Sequence, residues 1–168
     1  DDEGVARAKT FLIKDGVLSG LLHSRETAQK MGAAPTGNAR AVSYEHEPIV
    51  RMTNTYIKSG EQTFAAMLAG IDSGIYACKA YGGQTMLEQF TFSAAYAYEI
   101  KNGEVGGMLK DVVLTGNVFE TMRAIDMIGD DMVIFGGSGG CGKGGQSPLP
   151  VTDGAPHIRI RDVTIGGK

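Results

Sequence analysis

The strongest constraint on the fold is the alternation of side chains between Phe90 and Ile100. Every second position of this segment is apolar, at Phe90, Phe92, Ala94, Tyr96, Tyr98 and Ile100. The positions between them carry small or polar side chains. Because successive side chains of an extended strand point to opposite faces, this period of two predicts a strand with one apolar face. The chain must therefore build a β-sheet around this segment.

Two glycine-containing turns predict hairpins. Asn102-Gly103 follows the alternating segment and supplies the positive φ angles of a type I′ turn, so Val105–Leu114 is predicted to be the return strand. Lys14-Asp15-Gly16 predicts a similar turn, between Phe11–Ile13 and Val17–Gly20. Four further segments have strand character: Pro48–Ile57, Gly74–Ala80, Asp131–Phe135 and His157–Ile165.

Three short segments have a helical apolar stripe and are ended by Gly32, Gly74 and Gly129, and two of them begin with a capping residue, Ser59 or Asn117. They are Ser24–Met31, Ser59–Gly74 and Asn117–Gly129. We therefore predict a mainly β fold with two or three short helices, of the α+β class, built as an antiparallel sandwich or a barrel-like domain. Residues 1–168 are expected to form a single domain.

Charge and composition exclude several classes of protein. The net charge is −3 and lysines and arginines do not cluster, so direct nucleic-acid binding is not expected. No apolar run approaches the roughly 18–20 residues of a membrane span, and the sequence does not open on a signal peptide. The two cysteines, Cys78 and Cys141, suggest neither a disulfide framework nor a zinc knuckle. A reducing, cytoplasmic location is therefore expected.

Glycine accounts for 25 of the 168 residues, and the densest cluster runs from Gly136 to Gly145. Within it, Gly137 and Gly142-Lys143 have the spacing of a phosphate-binding P-loop. The next residue is Gly144, where a P-loop has the Ser or Thr that holds Mg²⁺. The prolines at 148 and 150 are incompatible with the helix that must follow a P-loop. A nucleotide site is therefore disfavoured.

A second motif in the same cluster is that of a hydrolase nucleophile elbow. Gly136, Ser138 and Gly140 fit the G-x-S-x-G pattern, and Asp153 and His157 follow in hydrolase order. An elbow also needs a helix directly after the serine and a large parallel sheet. The sequence predicts neither, so this interpretation is disfavoured as well.

The third interpretation of the glycine cluster concerns Cys141. A cysteine flanked by glycines lies on backbone that can approach a metal ion closely, and its thiolate is a ligand suited to Zn²⁺. A single loop cysteine more often has no function. The histidines, His23, His46 and His157, lack the HxxxH or HExxH spacing of metal ligands. The sequence by itself therefore does not assemble a recognisable metal site.

Five blocks, taken in order, resemble the C-terminal region of the TldD/PmbA family, whose members have been named modulators of DNA gyrase. The blocks are Met31–Arg40, Pro48–Tyr56, Gly82–Gln84, Gly116–Met122 and Cys141–Gln146. The similarity extends from about Asp1 to Lys168. The resemblance, together with the missing initiator methionine, implies that residues 1–168 are the C-terminal domain of a longer TldD/PmbA-type protein.

The TldD branch of this family resembles zinc metallopeptidases that degrade or mature small or unfolded peptides. Its members pair an HExxxH helix with a cysteine in a Cys-Gly-Lys-x-Gly-Gln loop, so the resemblance implies that Cys141 is a zinc ligand. No HExxxH occurs here, and in the family it lies upstream of the stretch that matches Asp1. We therefore expect zinc in the full-length parent and not in this fragment. The fragment would supply the ligand loop and part of a peptide groove, and would be inactive alone.

The PmbA branch of the family suggests an alternative, a non-catalytic partner or peptide-binding module that captures extended peptides on a sheet edge. The cysteine loop favours the TldD branch. The resemblance also implies dimers, either homodimers or pairs with a PmbA-type subunit. An indirect, protein-mediated link to DNA gyrase is a further alternative. Arg51 is a candidate either for binding a peptide carboxylate or for an internal ion pair.

Overall fold

The computed structural model describes residues 1–136 and 140–166. The helices are α1 (Arg25–Met31), α2 (Phe64–Leu68) and α3 (Val118–Arg123). The strands are β1 (Ile13–Lys14), β2 (Val17–Leu18), β3 (Ala39–Arg40), β4 (Ile49–Val50), β5 (Asn54–Tyr56), β6 (Ser73–Met86), β7 (Gln89–Lys101), β8 (Glu104–Leu109), β9 (Val113–Asn117), β10 (Ile125–Ile128), β11 (Val133–Gly136), β12 (Cys141–Lys143), β13 (Gln146–Leu149), β14 (Thr152–Ala155), β15 (Ile158–Ile160) and β16 (Thr164–Gly166).

These elements confirm the predicted fold class, a mainly β chain with short helices. Antiparallel pairing dominates, and within the described ranges the sheets do not close into a barrel. The described residues group into two compact units, the first from 1–57 and 133–154 and the second from 58–132 and 155–166. None of the described helices has the length and apolar character needed to cross a membrane.

The second unit is built on the alternating segment, which forms β7 at the centre of a five-stranded sheet. Strand β6 pairs with β7 along its whole length, while β8 and β9 pair with two different parts of the other side of β7. Asn102 and Gly103 have φ angles of 49° and 80°, which confirms the predicted turn. The predicted single return strand is wrong. It breaks into β8 and β9 around Asp111, whose φ of 54° is left-handed.

The first unit consists of small pairings: β1 with β2, β3 with β4, β12 with β13, and β5 in parallel with β14. Helix α1 is bounded as predicted. Ser24 caps its N-terminus by accepting a hydrogen bond from the Thr27 amide, and Gly32 ends it with a φ of 62°. The buried apolar residues Ala28, Ala39 and Leu149 form the small core of this unit.

The other two helices differ from their predicted bounds. Helix α2 is capped by Thr63 and not by Ser59, and it ends at Leu68, so that the predicted end at Gly74 lies inside β6. Helix α3 begins after its predicted cap, Asn117, but ends at Arg123. Its predicted second half forms β10 instead, because these residues pair with β15 and exchange intrahelical hydrogen bonds for strand pairing.

Candidate functional site

Cys141 lies at the open end of a β-hairpin in the first unit. Strands β12 and β13 pair with Cys141 opposite Leu149, and the turn at the other end contains Gly144 and Gly145. These glycines have φ angles of 58° and 75°, which side chains with a Cβ rarely adopt. The glycine-rich sequence therefore forms a tight hairpin that holds a half-buried cysteine in a defined position.

The geometry of the hairpin also argues against the two disfavoured motifs, the P-loop and the nucleophile elbow. Residues 141–143 and 146–149 are strands, so no helix begins in 140–149, where a P-loop or a nucleophile elbow needs one. Gly137, the first residue of the P-loop spacing, and Ser138, the elbow serine, lie outside the described residues. The described part of the glycine cluster has the geometry of neither motif.

The buried side chain of Arg51 supports this hairpin through hydrogen bonds to its backbone. This side chain is only 1% exposed, and its Nη2 donates hydrogen bonds to the backbone carbonyls of Cys141 and Gln146, the second at 3.2 Å. The Arg51 amide donates a hydrogen bond to the Asn38 carbonyl at 2.9 Å, and Asn38 Nδ2 donates to the Arg51 carbonyl at 3.1 Å. The position of Cys141 is therefore set by a buried guanidinium.

The contacts of Arg51 support neither of its two predicted roles. In residues 1–136 and 140–166 it forms no ion pair, and its Nε and Nη1 atoms are buried without a hydrogen-bond partner. An internal ion pair is therefore absent from the described structure. Direct binding of a peptide carboxylate does not fit either, because the guanidinium is enclosed. Arg51 instead supports the backbone beneath Cys141.

Two further cations near the hairpin also bond to backbone carbonyls. Arg40 donates from Nη1 to the Met52 carbonyl at 2.7 Å and from Nη2 to the Pro150 carbonyl at 2.9 Å. Lys143 Nζ donates to the Val50 carbonyl at 2.8 Å. Neither side chain forms an ion pair with a described carboxylate. Three cationic side chains, those of Arg40, Arg51 and Lys143, therefore bond to the backbone in and around the Cys141 hairpin.

A small pocket of about 150 Å³ opens beside Arg40. Its lining combines two arginines with polar and small side chains: Arg7, Arg40, Thr53, Asn54, Pro150, Val151 and Thr152. The pKa of Arg40 is lowered, first by burial and then by repulsion from Arg7, while Asp2 acts in the opposite direction. We call this site the basic pocket.

The described residues do not complete a zinc site. No three His, Cys, Asp or Glu side chains among them lie close enough together to hold a metal ion. A structural or catalytic zinc takes three or four protein ligands, and Cys141 is a single free thiol. His23 is buried beside Thr27 at the start of α1, and His46 contacts Ser43. Cys141 therefore fits the role of one ligand in a set that these residues do not provide.

The remaining histidine, His157, lies in a hydrogen-bonded chain in the second unit. Tyr76 Oη and His157 Nε2 are 2.7 Å apart, and His157 Nδ1 contacts the carboxylate of Asp131. The ring of Phe64 packs on His157 with centroids 4.4 Å apart. The carboxylate that contacts His157 is thus that of Asp131 and not the Asp153 of the hydrolase motif. The sequence offered no signal for this pairing except the position of Asp131 at the start of a predicted strand.

The pKa shifts of Asp131 and Tyr76 establish the charges of these two groups at pH 7. Hydrogen bonds from the His157 backbone and ring lower the pKa of Asp131, and burial raises the pKa of Tyr76 to about 12. Asp131 is therefore a carboxylate and Tyr76 a neutral phenol at pH 7. In the neutral Nδ1–H tautomer of the imidazole, Nδ1 would donate to Asp131 and Nε2 would accept the hydrogen bond of the Tyr76 hydroxyl. The side chains of Tyr76 and His157 line a groove of about 770 Å³ in the second unit.

Comparison with known proteins gives consistent results. The family described as PmbA/TldA metallopeptidase C-terminal domain matches residues 1–167. A metalloprotease of Synechocystis is 56% identical over 99% of this chain and 36% of its own length. A zinc metalloprotease TldD homolog of Saccharolobus solfataricus is 37% identical over 99% of this chain and 37% of its own length. The chain thus spans little more than a third of these relatives.

Two solved structures share the fold. TldE from Thermococcus kodakarensis superposes with a TM-score of 0.79 at 24% identity, over 99% of this chain and 36% of that one. A Thermotoga maritima protein described as a candidate modulator of a DNA gyrase gives a TM-score of 0.75 at 25% identity, over 99% of this chain and 35% of that one.

Proposed function

Because this chain belongs to the family of PmbA/TldA metallopeptidase C-terminal domains, we propose that it is the C-terminal domain of a longer zinc metallopeptidase in which Cys141 is a zinc ligand. The other ligands and the general base would come from residues outside this sequence. Support comes from the greater length of the relatives and from the zinc named for the Saccharolobus solfataricus relative. The domain alone would be inactive.

The observation that carries the proposal is the way Arg51 fixes Cys141. A metal ligand must be held in position before the metal binds, because ordering a loose loop costs conformational entropy. The buried Arg51 bonds to backbone carbonyls on both strands of the hairpin, at Cys141 and Gln146. The thiol of Cys141 is left unbridged and partly accessible. This combination of a fixed backbone and an accessible thiol is suited to a metal ligand.

We propose small or unfolded peptides as substrates, with the surface around the hairpin forming part of the peptide groove. When bound, zinc would polarise the peptide carbonyl and activate a water molecule. The residues of this chain would hold the peptide beside it. A cytoplasmic, reducing environment is part of the proposal, since both cysteines must remain thiols.

The test uses the full-length protein and two cysteine variants. Cys141→Ala is expected to lower the zinc content, measured by atomic absorption, and to reduce peptide hydrolysis at least tenfold. Cys78→Ala is the matched control, because Cys78 is a free cysteine in the second unit and is expected to leave zinc content unchanged. Undiminished zinc content and activity in Cys141→Ala would overturn the proposal.

A second candidate function is that of a non-catalytic, PmbA-type partner. Strand β6 supports it, because in the described residues it pairs with β7 alone and leaves a fourteen-residue outer edge. Such an edge can bind an extended segment through backbone hydrogen bonds. An HExxxH motif before Asp1 in the longer protein favours the peptidase, and its absence favours the partner.

The assembly proposed for either function is a homodimer or a heterodimer with a PmbA-type subunit. The fold shared with TldE supports such pairing within the family. A link to DNA gyrase is the weakest alternative and would act through protein contact. Co-purification of the tagged full-length protein with a PmbA-type subunit, but not with gyrase, is the expected result.

A further inference from the structure

We propose that Arg7 and Arg40 form a subsite for a peptide carboxylate in the basic pocket. The proposal rests on the proposed function, because it identifies which feature of a peptide this domain recognises. The ligand chemistry is a carboxylate, carried either by the C-terminus of the peptide or by an acidic side chain. The two arginines would bind it by charge-assisted hydrogen bonds.

The pocket has the size and lining of a site for such a group. Its volume of about 150 Å³ exceeds the roughly 30 Å³ that one water occupies in the liquid, so a carboxylate and the adjoining backbone atoms fit. The side chains of Thr53, Asn54 and Thr152 add hydrogen-bonding groups to the wall, and Thr152 Oγ1 is already bonded to Asn54 Oδ1. The wall therefore combines apolar surface with polar groups, of which one pair is already hydrogen-bonded.

Arg40 is held in place and still has donors to offer. Its two terminal nitrogens each donate one hydrogen bond, to the carbonyls of Met52 and Pro150. An arginine side chain has five N–H donors, so three remain for a ligand. A guanidinium fixed in this way loses little conformational entropy when it binds a planar carboxylate.

Arg7 brings a second positive charge to the pocket. In the part of the chain that the structure describes, its exposed side chain forms no hydrogen bond or ion pair. Its backbone is placed by Gly37, where an added Cβ would lie 2.7 Å from both the Ala6 carbonyl oxygen and the Arg7 Cα. Only glycine allows this close approach of the two segments. The Gly37 position thus brings Arg7 to the pocket.

The local charge balance favours an anion. Arg7 and Arg51 both lower the pKa of Arg40 after the larger effect of burial, whereas Asp2 is the carboxylate that opposes them. Asp2 also accepts a hydrogen bond from the Ala41 amide at 2.8 Å, which occupies part of its carboxylate. A bound carboxylate would relieve the repulsion among the three guanidiniums.

The pocket also lies beside the proposed metal ligand. Cys141 pairs with Leu149, and the next residue, Pro150, both lines the pocket and accepts the Arg40 hydrogen bond. A peptide whose carboxylate is held there would place neighbouring backbone near Cys141. The site therefore suits selection of short peptides that carry a carboxylate near the bond to be cleaved.

Isothermal titration calorimetry with three blocked tripeptides tests the subsite on the full-length protein. The probes are N-acetyl-Ala-Ala-Ala as the free acid, the same peptide as its C-terminal amide, and N-acetyl-Ala-Glu-Ala amide. The free acid is expected to bind about tenfold more tightly than its amide, because one charge-assisted hydrogen bond contributes about that much affinity. Tighter binding of the Glu-containing amide identifies a side-chain carboxylate as the ligand, and tighter binding of the acid identifies the C-terminus.

The variants separate this subsite from general effects. Arg7→Ala is expected to abolish the preference for the free acid, while Arg25→Ala, an exposed arginine of the same unit, leaves it unchanged. Arg40→Lys keeps the charge but not the planar fork and is expected to reduce the preference. Equal binding of all three peptides, a preference that survives Arg7→Ala, or no binding at millimolar concentration would overturn the proposal.

The same variants distinguish failure of the subsite from failure of the proposed function. Arg7→Ala is expected to retain full zinc content, because it does not contact the proposed ligand. If Cys141→Ala keeps its zinc while the carboxylate preference is present and depends on Arg7, the metal role fails and the subsite stands. If zinc depends on Cys141 but all three peptides bind equally, the subsite alone fails.

Discussion

The guanidinium of Arg51 donates a hydrogen bond from Nη2 to the backbone carbonyl of Cys141, ninety positions along the chain. Together with its bond to the Gln146 carbonyl, this contact ties strand β12 to β13 from inside the first unit. A buried charge without a carboxylate partner is costly, so its presence beneath the proposed ligand hairpin needs a compensating role. Holding the Cys141 backbone is the role that the described contacts support.

Replacing Arg51 with alanine is expected to lower the free energy of unfolding by about 2–4 kcal/mol. The variant leaves a cavity in the core and removes the donor to two enclosed carbonyls. Urea denaturation measures the effect, with Arg25→Ala as a surface control expected to stay within about 0.5 kcal/mol. A loss below 1 kcal/mol for Arg51→Ala would show that the guanidinium does not hold the hairpin.

Much of the fold could be predicted where one local signal acts alone. The period of two in β7, the Asn102-Gly103 turn and the helix from Ser24 to its end at Gly32 each follow from local sequence, and the structure has all of them. Helix bounds were predicted less well where a strand competes for the same residues. The apolar spacing after Asn117 fits a helix, but pairing of β10 with β15 takes its second half.

The corrected start of α2 can be tested directly. Thr63 accepts a hydrogen bond from the Ala66 amide at 3.2 Å, whereas Ser59, the predicted cap, lies before the helix. Thr63→Ala is therefore expected to destabilise the protein by about 1 kcal/mol. Ser59→Ala is the matched control and should change the free energy of unfolding by less than about 0.5 kcal/mol. If thermal denaturation shows that Ser59→Ala destabilises the protein more than Thr63→Ala does, Ser59 is the cap, as the sequence predicted.

The candidate site could be predicted only in part, because its contacts are distant in sequence. Cys141 was found from its glycine-rich surroundings and from family resemblance, and its role as a ligand stays a prediction. Its support by Arg51, and the meeting of Arg7 with Arg40, depend on segments far apart in the chain. No spacing rule connects such positions. The pairing of His157 with Asp131 was missed for the same reason.

The hydrogen bond from Tyr76 to His157 predicts a measurable stability difference. Tyr76→Phe removes the hydroxyl group and leaves His157 Nε2 without this partner, which is expected to cost about 1 kcal/mol. Tyr96→Phe is the matched control on the same sheet, since Tyr96 makes no described side-chain hydrogen bond and is 38% exposed. Thermal denaturation compares them, and equal melting temperatures for the two variants would contradict the bond.

The protonation of His157 offers an independent check on the same chain of groups. Because Asp131 is ionised at pH 7, the Nδ1–H tautomer of His157 is expected, with Nε2 accepting from Tyr76. Nitrogen-15 NMR distinguishes the two neutral tautomers. In Asp131→Asn the tautomer preference should weaken, and an Nε2–H tautomer in the unmodified protein would contradict the arrangement.

The ion pairs of Asp126 predict how stability depends on pH. Hydrogen bonds from Arg159, and then from Arg161, lower the pKa of Asp126 to about 2, below its ordinary value of 3.8. Arg159 also donates to the Met67 carbonyl at 3.1 Å, so the pair connects β15 with α2. A lowered carboxyl pKa stabilises the fold above pH 3.8, and this stabilisation is lost as the pH falls from 3.8 towards 2.

Asp126→Asn is therefore expected to lower the free energy of unfolding at pH 7 by about 1 kcal/mol, allowing for solvent screening of the pair. The loss should shrink as the pH approaches 2, where the carboxyl group of the unmodified protein becomes protonated. Urea denaturation from pH 2 to pH 7 measures the dependence, with the exposed Asp130→Asn as the control. A constant difference between Asp126→Asn and the unmodified protein across this range would mean that the titration of Asp126 is not coupled to folding.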